Sequence, residues 1–342
     1  MSGAQPARST PSGDEFVRAT EPFRRELLAH CYRMSGSVDE AQDLVQETYL
    51  RAWRAYDRFE GRSSLRVWLY RIATNACLTA LQHRSRRVLP SALAGPSDDP
   101  DGEATMVGPE VRWVEPIPDA LVAPEAADPS TIAEGNASLR LALTASLQHL
   151  PPRQRAVLIL RDVLDLPAGE VAEMLETSTA AVKSALQRAR GRLEQVSPQA
   201  EELSEPSEPG ARALLDRYIE AFEQGDLAAL EQILRADAAL ETTASQTWFA
   251  GKRNCLRFIR RFLGSPDLYR MLPTSANGQP AAAAYRRRED GTYEAFAVVL
   301  LTTSTSGIAR IVLFNDPRSF ATFGLPPTQP AAARRYEREA HN

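Results

Sequence analysis

Residues Glu170 to Arg192 constrain this chain more tightly than any other stretch. Apolar or small residues fall at Val171, Ala172, Leu175, Val182 and Leu186, with Glu176, Thr177 and Ser178 between the two groups. That spacing predicts two short helices crossing over Ala172, joined by a tight turn, with Ser178 as N-cap of the second. The face left outside carries Thr179, Ala180, Lys183, Ser184, Gln187 and Arg188, with Arg190 and Arg192 beyond. Small and polar residues lead and positive charge follows. A helix reading a major groove uses that order, with base edges met near its N-terminus and phosphates gripped around them. A solvated helical hairpin with a basic face would carry the same pattern, because helix-turn-helix spacing is loose.

The surrounding sequence narrows the choice. Leu150 to Leu158 reads LPPRQRAVL, and Arg161 to Leu164 reads RDVL. These resemble the entry helices of region 4 of a bacterial sigma factor. Upstream, Asp39 to Trp53 reads DEAQDLVQETYLRAW and Phe59 to Asn75 reads FEGRSSLRVWLYRIATN. This block resembles region 2 of the extracytoplasmic-function (group IV) sigma factors. Both blocks occur in the family's order and together cover about half the chain.

Composition places few further limits. At 342 residues the chain suits two or three domains. The net charge of −4 averages opposite local charges, since Arg84, Arg86 and Arg87 cluster while residues 97–134 hold ten acids against one Arg. No apolar run approaches the roughly 18 residues that span a membrane, and no signal peptide is visible. Cys31, Cys77 and Cys255 are odd in number and far apart, which argues against a disulfide framework and against a zinc site. A cytoplasmic protein without cofactor or metal is the expectation.

Periodicity and breaker residues divide the chain. Residues 1–14 read as a disordered tail and 15–88 as a helical bundle. Within the bundle Ala41, Leu44, Val45, Thr48, Tyr49 and Ala52 form one buried stripe, and Leu65, Leu69, Ile72, Ala76 and Ala80 form another. Residues 89–134, rich in Pro, Gly and acids, read as a linker. Residues 135–196 make the second helical module and 197–210 a second polar linker. From 211 to 326 helices come first and strands afterwards, with strands expected at 281–288, 293–303 and 307–314 and a hairpin turn at Asp290-Gly291. A tail, 327–342, follows. The expected fold class is therefore multidomain: two all-α modules followed by a small α+β domain. Tyr218 to Leu230 (YIEAFEQGDLAAL) and Trp248 to Lys252 (WFAGK) resemble a SnoaL-like domain, a cone of curved sheet closed by helices. Such a domain fused behind regions 2 and 4 is similar to the sigma-G group of the family.

Candidate surfaces follow from these blocks. Asp43, Gln46, Glu47, Leu50 and Arg54 share one helical face opposite the buried stripe, with acids around an exposed Leu. Such a face can dock a partner or simply be solvated. The resemblance implies docking to core RNA polymerase. Bases separated from a duplex are held by stacking, by amide or hydroxyl hydrogen bonds and by Arg on the backbone. The resemblance assigns Phe59, Arg62, Ser63, Ser64, Arg66 and Asn75 to melting and reading a −10 promoter element. Trp68 and Tyr70 read equally as core aromatics, and Trp68 neighbours the apolar stripe. Arg84, Arg86 and Arg87 would add salt-dependent phosphate contacts.

In region 4 the resemblance implies reading of duplex −35 DNA. Thr179, Lys183, Ser184 and Gln187 are base-edge candidates, and Arg153, Arg155, Arg188 and Arg190 are phosphate candidates. Arg188 or Arg190 could instead pair with acids of the neighbouring helix. In the linker, Arg112 to Asp119 (RWVEPIPD) sets Trp113 beside the two X-Pro steps at Pro116 and Pro118, a rigid extended phrase. By resemblance it is a regulatory linker threading a polymerase channel; a flexible tether is the bland reading.

In the C-terminal domain Trp248, Phe249, Tyr285 and Phe296 are candidates to line a pocket for a small ligand. Glu220 or Glu241 could act as a base, but all four histidines lie outside that domain's core, so catalysis is not expected. The partners expected are core RNA polymerase and promoter DNA, with a small ligand in the cone as a third candidate and no membrane. Two rivals remain. One is a one-component ligand-sensing helix-turn-helix regulator, which leaves the region 2 block unexplained. The other is a SnoaL-type isomerase or cyclase fused to DNA-binding helices.

Overall fold

A computed structural model describes residues 13–82, 84–123, 138–196 and 208–331. The expectations for residues 1–12, 124–134, 197–207 and 332–342, and for His83, lie outside the described residues. The chain divides into two compact units.

The first unit contains the residues before 86, those from 121 to 123 and those from 147 to 196. Its helices run Gly13–Thr20, Arg24–Ser35, Val38–Ala55, Leu65–Leu81, Pro152–Leu158, Ala168–Met174 and Thr179–Val196. Local chemistry sets their ends. Gly36 takes a left-handed φ of 72° and donates its N–H to the Tyr32 carbonyl, closing one helix. Ser37 then opens the next, its hydroxyl accepting the Glu40 N–H at 3.3 Å. Ser64 caps Leu65–Leu81 in the same way, accepting from Val67 at 3.2 Å.

Of the first predicted stripe, Ala41, Leu44, Val45, Thr48 and Ala52 are buried, while Tyr49 is half-buried with its hydroxyl on the Thr20 carbonyl. Of the second, Leu69 and Ala76 are buried and Leu65, Ile72 and Ala80 half-buried. Leu27 and Met34 of the Arg24–Ser35 helix, which packs against both of these helices, are also fully buried, and each such side chain contributes roughly 1.5–3 kcal/mol by leaving water.

The hairpin at 168–196 has the predicted form. Val171, Ala172, Leu175 and Val182 are buried and Leu186 half-buried. The turn is tight because Glu176 adopts a left-handed φ of 50° and the Thr177 N–H reaches back to the Ala172 carbonyl at 2.9 Å. Ser178 caps the second helix, accepting the Ala181 N–H at 3.2 Å. The preceding helix starts with Pro152 in its first turn and passes into a π-helical turn at Ile159–Val163.

The second unit is a sheet with three helices on one face and chain segments, including a short helix, on the other. Its main strands are β3 (Leu234–Thr242), β4 (Trp248–Ala250), β5 (Tyr269–Ala276), β6 (Gln279–Arg287), β7 (Tyr293–Ser304) and β8 (Gly307–Phe314), in the order β4-β3-β8-β7-β6-β5. Strand β9 (Thr328–Gln329) adds to β7. The three anticipated strands appear as β6, β7 and β8. The sheet is not wholly antiparallel, because β3 runs parallel to β8. Strand β5 carries Pro273 and lies at the sheet edge, where proline is tolerated. The turn into β6 is Asn277-Gly278, both with positive φ, the chemistry of a two-residue hairpin.

One sheet face packs on the helices Glu208–Gln224, Leu227–Ile233 and Lys252–Leu263 through Tyr218, Ile219, Leu230, Cys255 and Ile259 against Leu240, Ala282, Val299 and Leu301. The opposite face holds Ala283, Tyr285, Val298, Leu300, Val312 and Phe314. That face is covered by Leu89, Val114 and Leu141, together with Phe320 from the Arg318–Thr322 helix.

Most of the segment read as a linker is thus part of this second core. Residues β1 (Arg87–Val88) and β2 (Arg112–Trp113) pair in parallel, and Val114 and Ile117 are fully buried. Asn277 holds the segment with three hydrogen bonds. Its N–H donates to the Ile117 carbonyl, its Oδ1 accepts the Ile117 N–H at 3.1 Å, and its Nδ2 donates to the Leu139 carbonyl at 2.8 Å. Low periodicity concealed this, because the segment adds its apolar residues to a sheet built elsewhere instead of forming its own element.

Candidate nucleic-acid interface

The second helix of the hairpin presents Thr179, Lys183, Ser184, Gln187 and Arg188 to solvent. Val182 and Ala189 on its other side are buried, so packing fixes which face looks outward. Arg188 donates to the Ser184 hydroxyl at 2.7 Å one turn earlier. Of the two arginines left open between phosphate and acid, Arg190 makes the acid pair, with bonds to both Asp162 oxygens at 2.9 and 2.7 Å. Arg153 is exposed and donates to the Leu175 carbonyl at 3.0 Å, which ties the entry helix to the turn.

Arg155 requires a correction. Its guanidinium is buried and donates to Met34 O, Gln148 Oε1, Gln148 O and Leu150 O. Burial lowers its pKa to about 10. Both terminal nitrogens are committed to interior acceptors and the whole group is buried, so it cannot reach a phosphate. It joins the end of the Arg24–Ser35 helix to the segment that opens the second helical module. The sequence signal was present only as a cation immediately before an apolar run, Ala156 to Leu160.

In the first module, Asp43, Gln46, Leu50 and Arg54 are exposed on one face of Val38–Ala55 and Glu47 is half-exposed. Leu50 is 51% and Trp53 44% exposed, two large apolar side chains at i, i+3 on the same helix. Glu47 is ion-paired to Arg51 at 2.7 Å.

Around the Phe59–Ser64 loop, Phe59 packs its ring against Trp68, centroids 4.9 Å apart, and stacks near Tyr56. Trp68 is half-buried, so it belongs to this aromatic edge more than to the deep core. Arg62 pairs with Glu60 at the surface, and Ser63 is exposed. The Ser64 hydroxyl serves as a helix cap. Arg66 is held by both Glu26 oxygens, at 3.1 and 2.9 Å, and lies over the Tyr70 ring. Asn75 is half-buried on the same helix. Glu26, which also accepts the Tyr70 hydroxyl at 3.2 Å, escaped sequence reasoning because its partners lie 40 residues or more away. Arg84 is engaged by Glu40 at 2.8 Å. Arg87 is no surface phosphate ligand, since its guanidinium is buried against Trp113 O and Glu115.

The four pocket candidates are not brought together. Phe249 and Phe296 belong to the helix-covered face of the sheet. Tyr285 lies in the opposite core, its ring on Phe320 and its hydroxyl on the Pro326 carbonyl. Trp248 alternates away from Phe249 along β4 and donates its indole N–H to the Ala94 carbonyl at 2.8 Å. One cavity lined by all four is therefore corrected: strand alternation puts two on each face. Trp113 is half-exposed, and Pro116 and Pro118 are buried. Among the described residues no cluster of His, Cys, Asp and Glu could hold a metal, and no helix is long and apolar enough to cross a membrane.

Comparison with known proteins agrees with the two modules. Residues 20–87 match the model of Sigma-70 region 2, and residues 140–193 match that of Sigma-70 region 4. The chain is 50% identical over 328 residues to the ECF RNA polymerase sigma factor SigG of Mycobacterium tuberculosis, covering 95% of this chain and 87% of that one. It is 26% identical to SigW of Bacillus subtilis over 52% of its length and 86% of that protein. The crystal structure of M. tuberculosis SigJ superposes with a TM-score of 0.58 at 22% identity, covering 91% of this chain and all but 1% of that one, and so shares its fold. The helices-then-sheet order of the second unit is the SnoaL-like arrangement that the sequence of residues 211–326 resembled. On these grounds the chain belongs to the extracytoplasmic-function RNA polymerase sigma factors, with a SnoaL-like domain fused behind regions 2 and 4.

Proposed function

We propose that the protein binds core RNA polymerase and directs promoter-specific initiation. Region 4 reads duplex −35 DNA through Arg153, Thr179, Lys183, Ser184, Gln187 and Arg188. Region 2 melts and reads the −10 element through Phe59, Arg62, Ser63, Ser64, Arg66 and Asn75. Asp43, Gln46, Glu47, Leu50 and Arg54 dock the polymerase. The SnoaL-like domain and the phrase at Trp113, Pro116 and Pro118 modulate activity, and the chemistry belongs to the polymerase. The protein acts in the cytoplasm, where its template is.

The observation that carries this reading is the presence of both sigma regions in one chain, with the base-reading row of region 4 exposed. A ligand-sensing regulator or a fused isomerase needs no region 2. Glu241, one of the two carboxylates considered for an isomerase, is fully buried and ion-paired to Arg310. Run-off transcription with purified core polymerase tests the reading. Specific transcripts that depend on the added protein are expected; binding to DNA without any transcript from core polymerase would favour the one-component regulator.

A further inference from the structure

The helix Lys252–Leu263 has a sharply divided surface. Cys255, Leu256, Phe258, Ile259 and Leu263 are buried against the sheet. Arg253, Arg257, Arg260 and Arg261 are exposed, at i, i+4, i+7 and i+8, within roughly 100° of arc. The stripe is about 12 Å long, which matches the axial span of three or four phosphates of one DNA strand.

Part of it is already occupied by negative charge from the same chain. The loop around residues 98–103 carries Asp98, Asp99, Asp101 and Glu103. Asp101 pairs with Arg257, and Arg261 donates to the carbonyls of Pro100 at 3.0 Å and Gly102 at 2.7 Å. The Asp99 carboxylate shapes the loop, accepting the N–H groups of Asp101 at 3.3 Å and Gly102 at 3.1 Å. Arg253 and Arg260 have no acidic partner among the described residues.

We infer that this helix is a second phosphate-binding face, which grips nucleic-acid backbone without reading sequence, and that the acidic loop at 98–103 is its internal competitor. Of the four arginines on this face only Arg257 is ion-paired to a loop carboxylate, and Arg261 is met by carbonyls, so the positive charge of Arg253, Arg260 and Arg261 is not directly paired among the described residues. Carboxylates and carbonyls seated at Arg257 and Arg261 offer the same acceptor chemistry as phosphate oxygens. DNA is the occupant favoured over an acidic protein, because the domain is joined to two DNA-binding modules and any duplex they hold is delivered at high effective concentration. The inference therefore rests on the sigma-factor reading. It adds to it a contact made by the C-terminal domain.

The test uses the full chain and a fluorescent, random-sequence DNA duplex of about 20 base pairs, titrated at several salt concentrations. Arg253→Gln with Arg260→Gln should weaken binding and flatten its salt dependence. Loss of two phosphate contacts means that the advantage of wild type over variant shrinks about tenfold between roughly 50 and 200 mM salt. Asp101→Asn should do the reverse, strengthening binding and steepening the salt slope by about one contact. Circular dichroism confirms that both remain folded, since all three positions are exposed. Unchanged DNA affinity and slope in both variants would overturn the inference, as would tighter capture of a poly-glutamate peptide than of DNA at this face. Run-off transcription on the same preparations keeps the two ideas apart. Wild type that initiates while the arginine variant binds DNA normally sinks only the second face. Wild type that fails to initiate while the arginine effect persists sinks only the sigma-factor reading.

Discussion

Glu241 accepts the backbone N–H of Ser91 at 2.9 Å from a site with no solvent exposure. One residue belongs to the segment between the two sigma regions and the other to the first strand of the main sheet. Arg310 on the neighbouring strand β8 pairs with the same carboxylate. A buried carboxylate is costly unless its oxygens are satisfied, so the sheet and the linker segment stabilise each other through this group.

Glu241→Leu should therefore loosen the linker. It leaves the Ser91 N–H without its acceptor and Arg310, whose side chain is 37% exposed, facing water. A cost of about 1–3 kcal/mol is expected, with a lower melting temperature and faster proteolysis at residues 89–120. Glu241→Gln keeps the acceptor oxygen and should be milder. Equal melting temperature and equal protease resistance in the Leu variant would refute the role given to this contact.

Acid should weaken the first unit through His30. Its ring is buried, with Nε2 on the Thr74 hydroxyl at 3.0 Å and Nδ1 unpartnered, and burial with nearby Arg33 lowers its pKa from 6.5 to about 3. The unfolded chain then binds a proton below pH 6.5 that the folded chain refuses. The stability held by neutral His30 is complete above 6.5 and is lost as pH falls towards 3, about 2 kcal/mol by roughly pH 5. Denaturant titrations between about pH 7 and pH 5 should show this decline. His30→Gln, less stable throughout, should show a flatter profile; an identical slope would exclude His30 as its source.

How much of this was legible in the sequence depends on the range of the interactions. The cap at Ser178, the stripe at Ala41 to Ala52 and the hairpin at Val171 to Val182 are local, and spacing alone predicted them; the cap at Ser64 is equally local but was read only as part of a base pocket. Strands β6 to β8 were legible by alternation. Strand β3 was not, because Arg235, Asp237 and Glu241 interrupt its apolar residues and the partner of Glu241, Arg310, lies 69 residues away. The Asn277-Gly278 hairpin carried a readable turn signal that was passed over. Arg155 and the pocket aromatics failed for one reason: residue type suggests chemistry, but exposure and strand face decide whether a side chain can use it.

The polymerase-docking face can be tested without disturbing the bundle. Asp43 and Leu50 are exposed, while Leu44, Val45 and Thr48 between them hold the core. Asp43→Arg with Leu50→Asp should leave the helical circular dichroism and melting temperature within about 0.5 kcal/mol of wild type. Pull-down of core polymerase should fall strongly. Normal pull-down by the folded double variant would place docking elsewhere.

The two DNA modules should respond differently to a pre-melted template. On the proposed reading, Lys183→Ala or Gln187→Ala at these exposed positions should cost about 1–3 kcal/mol in use of the −35 sequence. A bubble at −10 cannot restore that loss. Asn75→Ala should impair opening and be partly rescued by the bubble. An equal response of both variants would remove the division of labour between regions 4 and 2.

Removing the C-terminal domain tests whether it modulates initiation. Truncation after residue 204 takes away the sheet on which Leu89, Val114 and Leu141 are buried. Regions 2 and 4 carry their own buried stripes and should remain folded, while the segment from 89 to 120 should become sensitive to protease. A ligand or partner of the domain can change activity only by binding differently to the docked and released states of that segment. Altered run-off transcription is therefore expected from the truncated chain. Trp113→Ala in the full-length chain should reproduce part of the change, because Trp113 sits in β2, whose pairing with Arg87–Val88 helps hold the segment. If promoter output and core affinity are unchanged in both variants across several promoters, the domain is a passive appendage and the docked linker has no regulatory role.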